Sequence, residues 1–331
     1  MTLVASGAIV LVTLVNCAAV SVGGRIASVL ATLKVSLVLG VGVGAFLLAD
    51  GDWANYAMSA IGGACEGVPA AARGGIAGFG AAMLGAMWAY NGWNEVTYVA
   101  GEVKDPSRNL PRAIIGGIGI ISTLYVFANL AYFYVLTPAA VASVSPDSAV
   151  ATEVVARFLG PVAGGLMAAA LAMSVFGSLQ VVALVSARIP YAMAVDGLFF
   201  KSLGRLSPRT RVPIRALWVQ AAWAIVLVST GTYRALFTRV VYTEWIFFAL
   251  MAWGLMRLRN RAGYAPAYRV WGYPIVPIIF TASSLYIVIN QIAHDPTESA
   301  VGLLFVLAGL PVYYFWLRTP SPPLPSAQHA D

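Results

Sequence analysis

The sequence predicts an all-α integral membrane protein with about nine transmembrane helices, one of them broken near Asn91. Three observations carry this. Hydrophobic residues make up 60% of the 331 residues and charged residues only 10%, against about a quarter in a soluble domain. The hydrophobic residues gather into runs of about 20, the length that crosses a bilayer. The basic residues collect in alternate loops. A bundle this apolar needs lipid as part of its solvent, and its 32 glycines suit helices that pack through small side chains.

In chain order the predicted spans are 2–20, 26–48, 77–101, 113–136, 160–187, 213–231, 236–256, 274–293 and 299–317. No basic stretch precedes the first and no small-residue cleavage site closes it, so it reads as a retained span and not a signal peptide. The longest connections on one side of the membrane are 49–76 and 188–212. Residues 1–318 read as a single transmembrane domain. The Pro-Ser-Pro-Pro-Leu-Pro run within 319–331 marks a disordered cytoplasmic tail.

With a loop at 21–25 placed inside, fifteen of the 20 Lys and Arg residues fall on the cytoplasmic face. Only Arg73, Arg157, Arg234 and Arg239 fall opposite, and Lys34 remains inside a span. This asymmetry sets the C-terminus in the cytoplasm and the N-terminus outside, in a cell-membrane protein. The net charge of +7 is thereby a topology signal, and nucleic acid is excluded as a partner. Cys17, in an apolar run, reads as a packing residue and Cys65 as a loop thiol; two cysteines form no metal or disulfide framework. His294 and His329 lie at a loop edge and in the tail. No Ser/His/Asp pattern, metal cluster or phosphate loop is visible, so the sequence predicts no enzyme, no catalytic residue, no metal and no cofactor.

The third span carries the most information. Asn91, Gly92 and Asn94 are poor helix formers placed near its middle. Two readings stand. One is a glycine kink packed against a neighbour. The other is a true break, which is tolerated at that depth only where the backbone is buried in protein or lines a cavity. A broken helix presents carbonyls at the end of one half and N–H groups at the start of the next, and these ends bind ions and charged substrate groups.

The run Trp88-Ala-Tyr-Asn-Gly-Trp-Asn, followed by Glu102-Val-Lys-Asp-Pro and Asn109-Leu-Pro-Arg-Ala-Ile, resembles the sixth helix and following loop of the amino acid–polyamine–organocation superfamily. The L-type amino acid transporter branch is the nearest in pattern. Further landmarks agree in order. Leu30-Ala-Thr-Leu-Lys-Val resembles the fifth helix, Asn129-Leu-Ala-Tyr-Phe the seventh, and Phe176-Gly-Ser-Leu with Ser186-Ala-Arg-Ile-Pro-Tyr the eighth. Pro213-Ile resembles the start of the ninth and Gly309-Leu-Pro-Val-Tyr-Tyr the twelfth. The resemblance implies a partial inverted-repeat bundle holding family helices four to twelve, with the first three absent. The family's first-helix break, which receives the substrate carboxylate, would then be missing, while the sixth-helix break, which receives the ammonium, is kept. The absent helices enter as an expected partner, supplied upstream or as a separate segment.

The resemblance also implies roles for particular residues. Trp88 matches an aromatic gate over the substrate, where an indole stacks on an ammonium; core or lipid packing is its rival among nine tryptophans. Ala89, Tyr90, Asn91 and Gly92 would form the unwound backbone of an amino-acid site. Asn94 would bond substrate or cap the second half-helix. Trp245, in the family's tenth helix, borders the pocket. Lys34 lies about 12 Å past the predicted start of its span. It stands where sodium-coupled relatives hold a cation, which implies sodium independence; snorkelling to the interface is the alternative. Glu95 and Glu244 are the carboxylates nearest the span interiors, and either lines a wet cavity or relays a proton. Arg188, Asp196 and Gly197 read as parts of an ion-paired loop.

The leading function is a secondary amino-acid permease or exchanger working by alternating access, inactive as the chain stands because half its site is missing. The alternatives are a non-transporting fragment or split-gene subunit, and a proton-coupled amino-acid or polyamine symporter.

Overall fold

The computed structural model describes residues 2–318 except 19, 60–61, 67, 69–72, 146–147, 231–232 and 267. The expected disordered tail at 319–331 lies outside the described residues. All regular structure among the described residues is helical. Twelve α-helices run in chain order: α1 Thr2–Ala18, α2 Val20–Leu48, α3 Gly75–Ala89, α4 Pro106–Val135, α5 Pro138–Ala142, α6 Val150–Leu159, α7 Ala163–Ser186, α8 Arg188–Val195, α9 Ile214–Thr230, α10 Tyr233–Arg259, α11 Ile275–His294 and α12 Pro296–Arg318.

Each predicted span meets a helix. Among the described residues, four helical stretches are long and apolar enough to cross a membrane by length and composition: Gly24–Leu48, Pro106–Val135, Val150–Val195 and Ile275–Ala293. Thr2–Ala18, Gly78–Ala89, Ile214–Ser229 and Pro296–Pro311 are apolar but shorter. Many large apolar side chains point outward on these helices, among them Ile115 at 60%, Val175 at 65% and Ile289 at 65% exposure. Surfaces of that kind are stable only against lipid or protein.

One expectation is corrected. The loop placed at 21–25 is helical, because α2 begins at Val20; Gly23-Gly24 weakens a helix without ending it, and no proline stands there. The third span is broken, as the sequence predicts and as described below. The fifth is preceded by a separate amphipathic helix, α6, which stops where Gly160 turns left-handed at φ 64° and Pro161 follows.

The chain divides into two compact units, and the division passes through α1, α4 and α7. One unit comprises residues Met1–Leu11, Ala70–Ile114 and Val185–Asp331. In it α3, α10, α11 and α12 pack together around Tyr242, Trp245, Phe248, Ile287 and Val288. The other comprises Val12–Pro69 and Ile115–Leu184. There α2 lies against α6, over a core that includes Val41, Ala45, Ala131, Val154 and Met167. A buried amide pair fastens α1 to α7 in that unit. Gln180 Nε2 donates to Asn16 Oδ1 at 2.7 Å, and Asn16 Nδ2 donates to the Gln180 carbonyl at 3.1 Å.

Candidate functional site at the break after α3

α3 ends at Ala89, and the chain then turns through residues 90–94. Tyr90 keeps a helical bond to the Ala86 carbonyl at 3.2 Å, but Asn91 N–H reaches only to Trp88 at 3.0 Å. Gly92 lies at φ 97°, a left-handed conformation that glycine adopts without cost. The chain resumes as a 3-10 helix over Glu95–Glu102, with Glu95 N–H on the Gly92 carbonyl at 3.1 Å and Thr97 N–H on that of Asn94 at 2.9 Å. Of the two sequence readings, the structure has the break and not the kink. The second half is wound tighter than an α-helix, so its side chains follow a period of about three.

Polar side chains hold the break open. Asn91 Nδ2 donates to Glu244 Oε2 on α10, across 153 residues of sequence. The Glu95 carboxylate lies 3.7 Å from the point a Cβ on Gly92 would occupy. Glu244 and Glu95 thus meet the same turn, the first at Asn91 and the second at Gly92. The Tyr98 hydroxyl stands one turn on. Asn94 Nδ2 donates to that hydroxyl at 2.8 Å. Asn94 makes no side-chain cap to the second half-helix, so the capping alternative fails. Its Oδ1 is buried with no hydrogen-bond partner. The arrangement collects acceptors, and a positively charged or hydrogen-rich group is what it can receive.

The predicted residues divide. Trp88, at 38% exposure, and Ala89 close the first half. Tyr90, Asn91, Gly92 and Asn94 form the turn. Trp245 is buried in the aromatic core, edge-on to Phe248 at 5.4 Å and tilted on Phe280 at 5.7 Å. Its neighbour Glu244 reaches the break instead. Trp93 packs into the same core, 5.5 Å from Phe248. A lone carboxylate in an apolar helix was the signal for Glu244; its partner Asn91 could not be read from one sequence.

Lys34 belongs to the other unit. Its Nζ donates to Ser178 Oγ on α7 at 2.6 Å, and its stem crosses Gly177, with Cε 3.3 Å from where a Cβ there would sit. The ammonium thus reaches a neighbouring helix. Arg188 is ion-paired, but with Glu102 and not Asp196. Arg188 Nε donates to Glu102 Oε1 at 2.7 Å and Nη2 to Oε2 at 3.1 Å, a two-pronged clasp between the start of α8 and the end of the 3-10 segment.

A profile of the amino acid permease family matches residues 1–317. The serine/threonine exchanger SteT of Bacillus subtilis (strain 168) is 32% identical over 240 residues, 71% of this chain and 54% of the exchanger. The b(0,+)-type amino acid transporter 1 of Mus musculus is 29% identical over 317 residues, 95% of this chain and 62% of that protein. The Asc-type amino acid transporter 1 of Mus musculus is 29% identical over 244 residues, 72% of this chain and 45% of its own length. The chain therefore spans about half to three fifths of the curated relatives it matches. The family profile extends over the break, the Lys34 helix and the ion-paired loops alike, and the chain belongs to the amino acid permease family.

Proposed function

We propose that the chain is the larger part of a sodium-independent amino-acid exchanger, and that the turn at Tyr90–Asn94 receives the ammonium of the substrate. The supporting observation is the break itself, in a chain whose relatives are named as amino-acid exchangers and transporters. Trp88 covers the substrate, the backbone of Ala89–Gly92 and the amide of Asn94 line its amino end, and Trp245 backs the pocket through the aromatic core. Lys34 takes the place of a coupling cation: its fixed ammonium on Ser178 supplies the positive charge that a sodium ion supplies elsewhere. Transport then proceeds by rocking of helices around a central site, and replacing sodium by choline leaves it unchanged. Residues 1–318 act as one transmembrane transport domain with the C-terminus in the cytoplasm.

The 331 residues provide the ammonium half of the site. A bound amino acid would keep its carboxylate unpaired, at a cost of several kcal/mol, enough to erase a micromolar-to-millimolar affinity. The 331 residues alone are accordingly a non-transporting fragment. The test is exchange of a panel of labelled amino acids in proteoliposomes, with the chain alone and with the chain fused behind the N-terminal helices of a full-length relative. Exchange by the fusion alone is the expected result. Exchange by the 331 residues alone overturns the half-site assignment, and silence of both overturns the transporter assignment.

A second reading, proton-coupled symport, is favoured by the two carboxylates Glu95 and Glu244 that meet the break at Gly92 and Asn91, because ionisable groups within spans serve as proton relays. Collapse of an imposed pH gradient stops uptake under this reading and leaves exchange intact under the first.

A further inference from the structure

We propose that the segment joining α10 to α11 is a docking surface for the headgroups of anionic phospholipids. α10 ends on Arg257 and Arg259, Arg261 follows at once, and Arg269 stands in the turns before α11. Between Glu244 and Asp295 the sequence holds no Asp or Glu. The other basic loops differ. Arg188 is spent on Glu102 through two hydrogen bonds, Asp105 lies among Lys104, Arg108 and Arg112, and Asp196 precedes Lys201 and Arg205. The α10–α11 segment is thus a purely cationic stretch, and Arg257, Arg261 and Arg269 are exposed on it.

Aromatic rings are interleaved with these arginines. Trp271 is 88% exposed, Tyr268 47% and Tyr264 38%. Gly263 at φ 81° and Gly272 at φ 68° supply the left-handed turns on either side. Arg259 lies over the Tyr273 ring with Cζ 4.0 Å from its centroid, and Arg257 lies 5.7 Å from the Trp253 ring. A guanidinium on a ring face is oriented, and the edge of its planar fork still matches a phosphate. Tryptophan and tyrosine settle at the level of lipid headgroups, and a row of arginines there attracts lipids of net negative charge. Helix-end electrostatics explain one cation at the C-terminus of α10. They do not explain four arginines with exposed aromatics between them.

This inference is independent of transport, because it is read on lipid binding. The chain, purified in neutral detergent, is titrated with short-chain phosphatidylglycerol and, separately, short-chain phosphatidylcholine. The Trp271 fluorescence change is isolated by subtracting the Trp271→Phe protein. Phosphatidylglycerol is expected to bind more tightly by roughly fivefold per engaged arginine, so roughly 25-fold for two. Arg261→Gln with Arg269→Gln removes most of that preference, as does about 1 M salt, while Arg211→Gln in another basic loop preserves it. Equal affinity for the two lipids overturns the proposal, as does a preference that survives the paired substitution in a chain of unchanged circular dichroism, or a Trp271 signal blind to both lipids.

Discussion

α2 and α3 both carry glycine within apolar sequence, yet only the chain after α3 breaks. α2 runs unbroken from Val20 to Leu48 through Gly40, Gly42 and Gly44. Two of these are contact points. A Cβ on Gly42 would meet the Phe127 ring at 2.2 Å, and one on Gly44 the Phe158 ring at 2.9 Å. Gly40 faces open space. After α3 a single Gly92 turns left-handed, and the polar side chains beside it find partners: Asn91 is tied to Glu244 and Asn94 to Tyr98. Glycine alone thus does not break a membrane helix. Here the break comes where glycine stands among polar side chains that are held by partners.

The comparison can be broken at four places. Gly92→Val puts a β-branched residue at φ 97° and is expected to cost about 3 kcal/mol, seen as a lowered thermal unfolding midpoint in detergent. A silent Gly92→Val would show that the left-handed turn is not required. Asn91→Ala removes a hydrogen bond to a carboxylate, worth about 2 kcal/mol. In a double-mutant cycle with Glu244→Gln the two losses should fall well short of additivity; full additivity would separate Asn91 from Glu244. Gly42→Ala forces the Phe127 ring aside and should cost about 1–2 kcal/mol, with no effect on the ligand response of the break. Gly40→Ala is the smallest change and has the opposite sign. With nothing in its way, the methyl should stabilise α2 by up to about 1 kcal/mol, and a loss of stability there would reveal a neighbour on that face.

Much of the architecture was legible because hydropathy is summed along the chain. The nine predicted spans each overlap a helix, and the weakness at Asn91-Gly92 is visible as residue types misplaced in a span. What escaped were boundaries and side-chain partners. The expected loop at 21–25 is helix because two glycines and no proline make a weak stop signal. α6 was overlooked because ten amphipathic residues fall short of a span. Of the two roles open to Asn94, substrate contact or cap, the side-chain cap is absent, because its amide bonds Tyr98 one turn on. Glu244 reaches Asn91 while Trp245, about 100° further around α10, packs among Phe248 and Phe280, a division that no unaligned sequence specifies.

By itself the sequence determined the helices, their approximate ends, and the place where one must fail, because each is a property of residues within about 20 positions of one another. Tertiary structure decided which partners the polar side chains found. Asn91 meets Glu244 across 153 residues, Arg188 meets Glu102 across 86, and Lys34 meets Ser178 across 144. Each of these polar groups could have been satisfied by several partners in a low-dielectric interior, where leaving it unsatisfied is costly. Which partner it found depended on the rotation and offset of packed helices, and those are settled only when side chains interlock at close-packed density.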